Sequence, residues 1–134
     1  MKVLIDTCIW SLVLRRKTAA LLSPDEQQIA ASLSQAIREG RAAIIGPIRQ
    51  EILSGIKDPI QFQKIQSTLT SFRDEQLSSA DFEEAARLFN LCRSRGVVSG
   101  PIDILLCAVA KRRQWAILTS DQGLRRSIAA SKEP

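Results

Sequence analysis

The sequence predicts an α/β protein in which a short central parallel sheet is flanked by helices, giving three layers. Three short aliphatic runs, Lys2 to Ile5, Ala42 to Gly46 and Trp115 to Thr119, read as strands. The segments between them carry apolar residues at helical spacing. Strands this short and this continuously apolar are buried on both faces, which fits parallel pairing through right-handed helical crossovers. At 134 residues, the chain has the size of one domain, residues 1 to 134.

Lys2 to Ile5 leads directly into Asp6-Thr7 and then an apolar helical stretch, Cys8 to Leu14, that ends in Arg15, Arg16 and Lys17. Ser23-Pro24-Asp25-Glu26 combines an N-cap Ser, Pro at the first helical position and Glu three residues after the cap. Ile29, Ala30, Leu33, Ala36 and Ile37 keep helical spacing until Gly40 stops the helix. After the second strand Pro47 starts a helix containing Glu51, and Asp58-Pro59 starts another with the stripe Phe62, Ile65, Leu69 and Phe72. Ser78 or Ser79 opens the next, whose predicted inward stripe is Phe82, Ala85, Ala86, Phe89 and Cys92, closed by Gly96. Pro101 to Arg113 is a helix, Gly123 to Ala130 a final one, and Ser131 to Pro134 reads as a loose tail.

Apolar residues at 45% and charged residues at 25% exclude disordered and fibrous classes. The longest strongly apolar run, Ile104 to Ala110, is too short to span a bilayer, and Asp6 interrupts the N-terminal apolar run before it could act as a signal peptide. A cytoplasmic location follows. Cys8, Cys92 and Cys107 lack metal-ligand spacing and read as small core residues; Trp10 and Trp115 read as core as well. With no histidine in the chain, zinc sites of the usual kind and every imidazole-based catalytic pair drop out. Any catalysis must rest on carboxylates.

In open α/β sheets functional groups gather beyond the carboxyl ends of the strands. Asp6 follows the first strand directly and Asp121 follows the third after one residue, so both belong on that edge. Glu51 lies one turn into the helix after the second strand, and Asp103 lies in the first turn of an otherwise apolar helix. Singly, these acids also fit turn chemistry, a helix macrodipole or a solvated face. As a set of four at one end of the sheet they repel unless cations join them, and such oxygen ligands suit Mg²⁺ or Mn²⁺.

The segments Val3-Leu4-Ile5-Asp6-Thr7-Cys8-Ile9-Trp10, Glu51-Ile52-Leu53-Ser54-Gly55, Asp103-Ile104-Leu105-Leu106-Cys107-Ala108 and Leu118-Thr119-Ser120-Asp121 resemble, in order and approximate spacing, the four acidic motifs of PIN-domain nucleases. The closest branch is the VapC toxin ribonucleases of toxin-antitoxin systems. The resemblance covers essentially the whole chain and implies a PIN-like three-layer fold and metal-dependent endoribonuclease activity. It also implies a cognate VapB-type antitoxin, a homodimer, and metal binding by Asp6, Glu51, Asp103 and Asp121, with the hydroxyls of Thr7 and Thr119 beside them. The chain departs from the family in having Gln122-Gly123-Leu124 where a further acid is common, and Ile104-Leu105-Leu106-Cys107 is a less common third motif.

Phosphodiester hydrolysis needs an activated water and neutralised phosphate charge, which carboxylate-held divalent ions supply without histidine. Asp6 and Asp121 read as direct ligands, with Asp103 and Glu51 completing the cluster or orienting metal-bound water. The net charge of +5 favours a polyanion such as RNA, though solubility alone also accounts for it. Candidate RNA-contacting cations are Arg15, Arg16 and Lys17, Arg93 and Arg95, Lys111 to Arg113, and Arg125 with Arg126. Two other classes compete: a non-catalytic PIN-like module that binds RNA or protein, and a phosphoryl-accepting receiver domain. The latter fits poorly because Asp6 has no acidic neighbour and Ser120-Asp121 follows the last strand where a Lys is wanted.

Overall fold

A computed structural model describes residues 1–15 and 21–134; Arg16 and Lys17 lie outside the described residues. Strands β1 (Val3–Ile5), β2 (Ala42–Ala43) and β3 (Ala116–Leu118) form a parallel sheet in the order β2-β1-β3. The earliest strand is therefore the central one. Val3 lies opposite both Ala42 and Ala116, and Leu4 opposite Ala43 and Ile117. Helices α1 (Thr7–Arg15) and α2 (Pro24–Arg38) connect β1 to β2. Helices α3 (Gly46–Leu53), α4 (Pro59–Leu69), α5 (Ser79–Ser94) and α6 (Pro101–Arg113) connect β2 to β3, and α7 (Gln122–Ala130) follows. The α/β class and its parallel sheet are as the sequence predicts.

Local sequence sets the element ends. Ser23 accepts from the Glu26 N–H at 3.1 Å while the Glu26 carboxylate accepts from the Ser23 N–H at 3.0 Å, the reciprocal cap of α2. Gly40, at φ +68°, lets the chain reverse so that the Arg41 and Gly40 N–H groups satisfy the Ala36 and Ile37 carbonyls. Helix α6 is the spine of the core, with Ile104 through Ala110 all buried, because β3, α5 and α7 pack around it. That explains why its sequence is apolar on every side.

Three expectations need correction. On α5 the inward face is Asp81, Ala85, Leu88 and Cys92, whereas Phe82 is 53% exposed and Ala86 is exposed. The phase is fixed by Asp81, which is fully buried: it accepts from the Ser78 N–H and is held by Arg112 and Arg113 of α6 at 2.6 and 2.9 Å. The tail is tied down: Ser131 is buried and Glu133 pairs with Arg87 at 2.7 Å and with Lys111. Trp10 is core, packed edge-on against Phe72, but Trp115 is only half-buried, with Lys2 and Arg113 each 5.6 Å from its ring centre.

Candidate functional site

The four predicted acids reach one edge of the sheet by four different routes. Asp6 directly follows the central strand; its N–H still bonds to the Leu118 carbonyl at 3.0 Å, and its own carbonyl accepts from Ile9 and Trp10 as α1 begins. The side chain is thereby fixed at the carboxyl end of β1, only 5% exposed. Asp121 follows the neighbouring strand β3 as the N-cap of α7, its Oδ2 accepting from the Leu124 N–H at 2.7 Å. Helix α3 starts after Ile44 and Ile45 at the end of β2 and carries Glu51 in its second turn, near the same edge. Helix α6 precedes β3 with only Gln114 and Trp115 between them, so it returns alongside the strand and its first turn, with Asp103, lies at the strand's carboxyl end.

The charges of the four act on one another. Burial, reinforced by the negative charges of Asp6, Asp121 and Glu51, pushes the Asp103 carboxyl up to about 6. Among the described residues, none of the four forms an ion pair. Hydroxyls link them instead. The Thr7 hydroxyl donates to Glu51 Oε1, and the Thr119 hydroxyl donates to Asp6 Oδ2 at 2.7 Å while accepting from the Asp121 N–H at 3.0 Å. Asp6 Oδ1 accepts from the Thr7 N–H at 2.8 Å.

As the side chains stand, no three acid or thiol side chains among the described residues are grouped tightly enough to hold one ion. The chemistry of the donor set nevertheless fits a hard divalent cation: four carboxylates, none of them in an ion pair among the described residues, two hydroxyls, and one acid whose proton affinity is raised by burial and by its neighbours.

With a mostly buried acid after the first strand, a capping acid after the last, and Asp6, Glu51 and Asp121 bonded to threonines between them, the comparisons with known proteins agree. The family model of the PIN domain matches residues 3–127. The chain belongs to the PIN-domain family. Among solved structures, this PIN domain is similar in fold to the crystal structure of FitAcB from Neisseria gonorrhoeae, with a TM-score of 0.71 over 96% of this chain and 92% of that one at 16% identity. No curated protein sequence matches it.

Site neighbours that sequence reasoning missed are also visible in this PIN domain. Cys8, expected in the core, is half-exposed beside the acids: its Sγ donates to Asp6 Oδ2 at 3.3 Å and lies 3.4 Å from the Ser120 hydroxyl. The signal was its place two residues after Asp6, in the first turn of the helix. Cys92 and Cys107 are buried as expected, and burial pushes the Cys107 thiol up to about 12. Gly123 sits so close to Asp121 that a Cβ would lie 3.1 Å from its Oδ2. A side chain there would press on the carboxylate that caps α7.

The candidate cations divide by position. Lys111, Arg112 and Arg113 sit at the far end of α6, about 12 to 15 Å along the axis from Asp103 at the helical rise per residue, and pair with Glu133 and Asp81. They belong to the scaffold rather than the acid edge. Arg95 donates to the Ala130 and Lys132 carbonyls, and Arg15 donates to the Ile52 carbonyl at 3.1 Å. Arg15 and Arg125 line an open trough of about 940 Å³ between α1, α2 and the start of α7, with Cys8 and Ser120 at its acid end.

Proposed function

We propose that this chain is a divalent-metal-dependent endoribonuclease, the toxin of a VapBC-type toxin-antitoxin pair, acting in the cytoplasm as a homodimer with a cognate VapB-type antitoxin as its inhibitor. The observation that carries the nuclease reading is the gathering of Asp6, Glu51, Asp103 and Asp121 at one sheet edge, with none of them in an ion pair among the described residues. Membership of the PIN family, whose members are generally nucleases, supports the reaction class. The toxin, antitoxin and dimer parts rest on the likeness of the four motifs to VapC proteins.

Bound by these acids, Mg²⁺ or Mn²⁺ would supply Lewis-acid polarisation of a phosphate oxygen and a water nucleophile usable at neutral pH. The chain's own residues prepare for that. Three donors, the Thr7 N–H, the Thr119 hydroxyl and the Cys8 thiol, hold the Asp6 carboxylate in one orientation, so a ligand there loses little side-chain entropy on binding. Asp121 spends Oδ2 on the α7 cap and keeps Oδ1 for a ligand. Thr7 orients Glu51 from the turn that follows Asp6. The substrate class, RNA, follows from the VapC likeness, and the cations of the adjoining trough, Arg15 and Arg125, are placed to meet its phosphates.

The test is cleavage of a mixed-sequence single-stranded RNA by the purified chain. Products should form with Mg²⁺ or Mn²⁺ and stop with EDTA. Asp6→Asn or Asp121→Asn should lower turnover by orders of magnitude with the circular dichroism spectrum intact. Full activity in chelator, or both variants cutting like wild type, overturns the assignment. Metal-independent RNA binding without any cleavage would instead select the non-catalytic module.

A further inference from the structure

Among the described residues, Arg125 is the cation that both bonds to Thr119, the residue joining the acids, and lines the open trough. It stands in the first turn of α7, four residues after Asp121, and its Nη2 donates to the Thr119 carbonyl at 3.1 Å. Thr119 directly follows β3; its neighbour Leu118 turns its carbonyl toward β1, where the Asp6 N–H takes it, so the Thr119 carbonyl faces the opposite side. There Arg125 is the donor that meets it. The Thr119 side chain, 8% exposed, is the joint of the site: its hydroxyl donates to Asp6 Oδ2 and accepts from the Asp121 N–H. The rest of the Arg125 side chain is exposed and lines the trough beside Cys8 and Ser120.

We propose that Arg125 is a positioning residue for the carboxylate site: by holding the Thr119 carbonyl it fixes the hydroxyl that couples Asp6 to Asp121. This rests on the nuclease reading above and extends it to a residue that ligates nothing itself. A guanidinium suits the task because its planar fork can bond a carbonyl on one side and still present donors to a phosphate on the other. Loss of a group that orients ligands typically costs about 10 to 100-fold in metal affinity or activity. A mere phosphate contact would act on KM and salt dependence and leave metal affinity alone.

The experiment compares wild type, Arg125→Gln, Arg125→Lys and Arg38→Gln. The last removes the same charge from the last turn of α2, remote from the acids in sequence and from the trough lining. Calorimetric titration of the RNA-free proteins with Mn²⁺ is paired with kcat and KM for cleavage of one single-stranded RNA, and circular dichroism confirms folding. Arg125→Gln should lose about 10-fold in both Mn²⁺ affinity and kcat. Arg125→Lys, which keeps a donor and the charge, should recover part of both, and Arg38→Gln should match wild type. If Arg125→Gln does not fold, the comparison of Arg125→Lys with wild type carries the test, with a smaller loss expected in the same two quantities. Unchanged Mn²⁺ affinity with a rise in KM alone overturns the proposal and leaves Arg125 a phosphate contact. Wild type that neither binds Mn²⁺ nor cuts RNA counts against the nuclease reading itself, and this inference falls with it.

Discussion

Asp103 shows how a residue at a favourable local position can be unfavourable in its tertiary setting. In the first turn of α6 a carboxylate is helped by the helix dipole, yet burial and the charges of Asp6, Asp121 and Glu51 push it up to about 6. A folded-state value above the unfolded one means that the metal-free fold binds a proton more tightly than the unfolded chain does. The cost is therefore absent below about pH 3.8, grows as pH rises, and is complete above about 6. Asp103→Asn should accordingly melt higher than wild type in EDTA at pH 7, by on the order of 1 kcal/mol once partial solvation is allowed for. The advantage should fade on acidification to pH 4, and wild type should gain more than the variant from added Mn²⁺. Thermal melts of both proteins at the two pH values, with and without Mn²⁺, check this. A variant that melts equal to or below wild type in EDTA would leave Asp103 as a helix-start residue only.

At the scale of elements, the α5·α6 pair depends on one buried carboxylate. Asp81 closes the N-terminal cap of α5, and Arg112 and Arg113 bring the last turn of α6 to it. Their hydrogen bonds hold its carboxyl far below the usual carboxylate range against the opposing effect of burial. Here the sign is reversed relative to Asp103: a depressed folded-state value gives stability that is present at neutral pH and lost as pH falls below the unfolded value of about 3.8. Asp81→Asn should destabilise by about 2 to 3 kcal/mol at pH 7, less than a fully buried pair because the two arginines keep some solvent contact. The gap to wild type should narrow below pH 4. Urea denaturation at pH 7 and pH 3.5 measures it, and a gap independent of pH would mean that shape, not charge, is what the position needs.

At the scale of the whole molecule, a net charge of +5 does not say which cations are free to meet RNA. Lys2, Arg41, Arg49, Arg87, Lys111, Arg112 and Arg113 are all engaged in ion pairs within the fold. Arg126, exposed in the first turn of α7, forms no ion pair among the described residues and lies at the acid edge. The salt dependence of RNA binding should therefore come from cations outside these pairs and near the acids. Arg126→Gln should reduce the slope of log K against log salt by about 0.7, the value for one phosphate on a single strand. Lys111→Gln, at the far end of α6, should leave the slope unchanged. Filter binding over a range of KCl concentrations separates the two, and equal effects would mean that RNA contacts both ends of α6.

What the sequence by itself determined was local or periodic. The caps at Ser23 and Asp58, the stops at Gly40 and Gly96, and the bounds of α6 at Pro101 and Arg113 were all legible, with Ser78 one of two candidates for the cap of α5, because each depends on a few neighbouring backbone groups. So was the placing of Asp6 and Asp121 beside strand ends, since a strand's polarity fixes which edge its last residue reaches. Tertiary structure alone decided the rest. The phase of α5 was misread because its inward face includes a charged residue, Asp81, whose burial depends on two arginines more than thirty positions away. The loose look of Ser131 to Pro134 hid the pairing of Glu133 with Arg87 and Lys111. Cys8 read as core because burial cannot be told from composition one residue at a time; its contact with Asp6 is local, and only the meeting of β1 with β3 brings Ser120 to it. The coupling of the four acids has the same origin: charge interactions depend on separation in space, and these residues span more than a hundred positions of chain before the sheet closes on them.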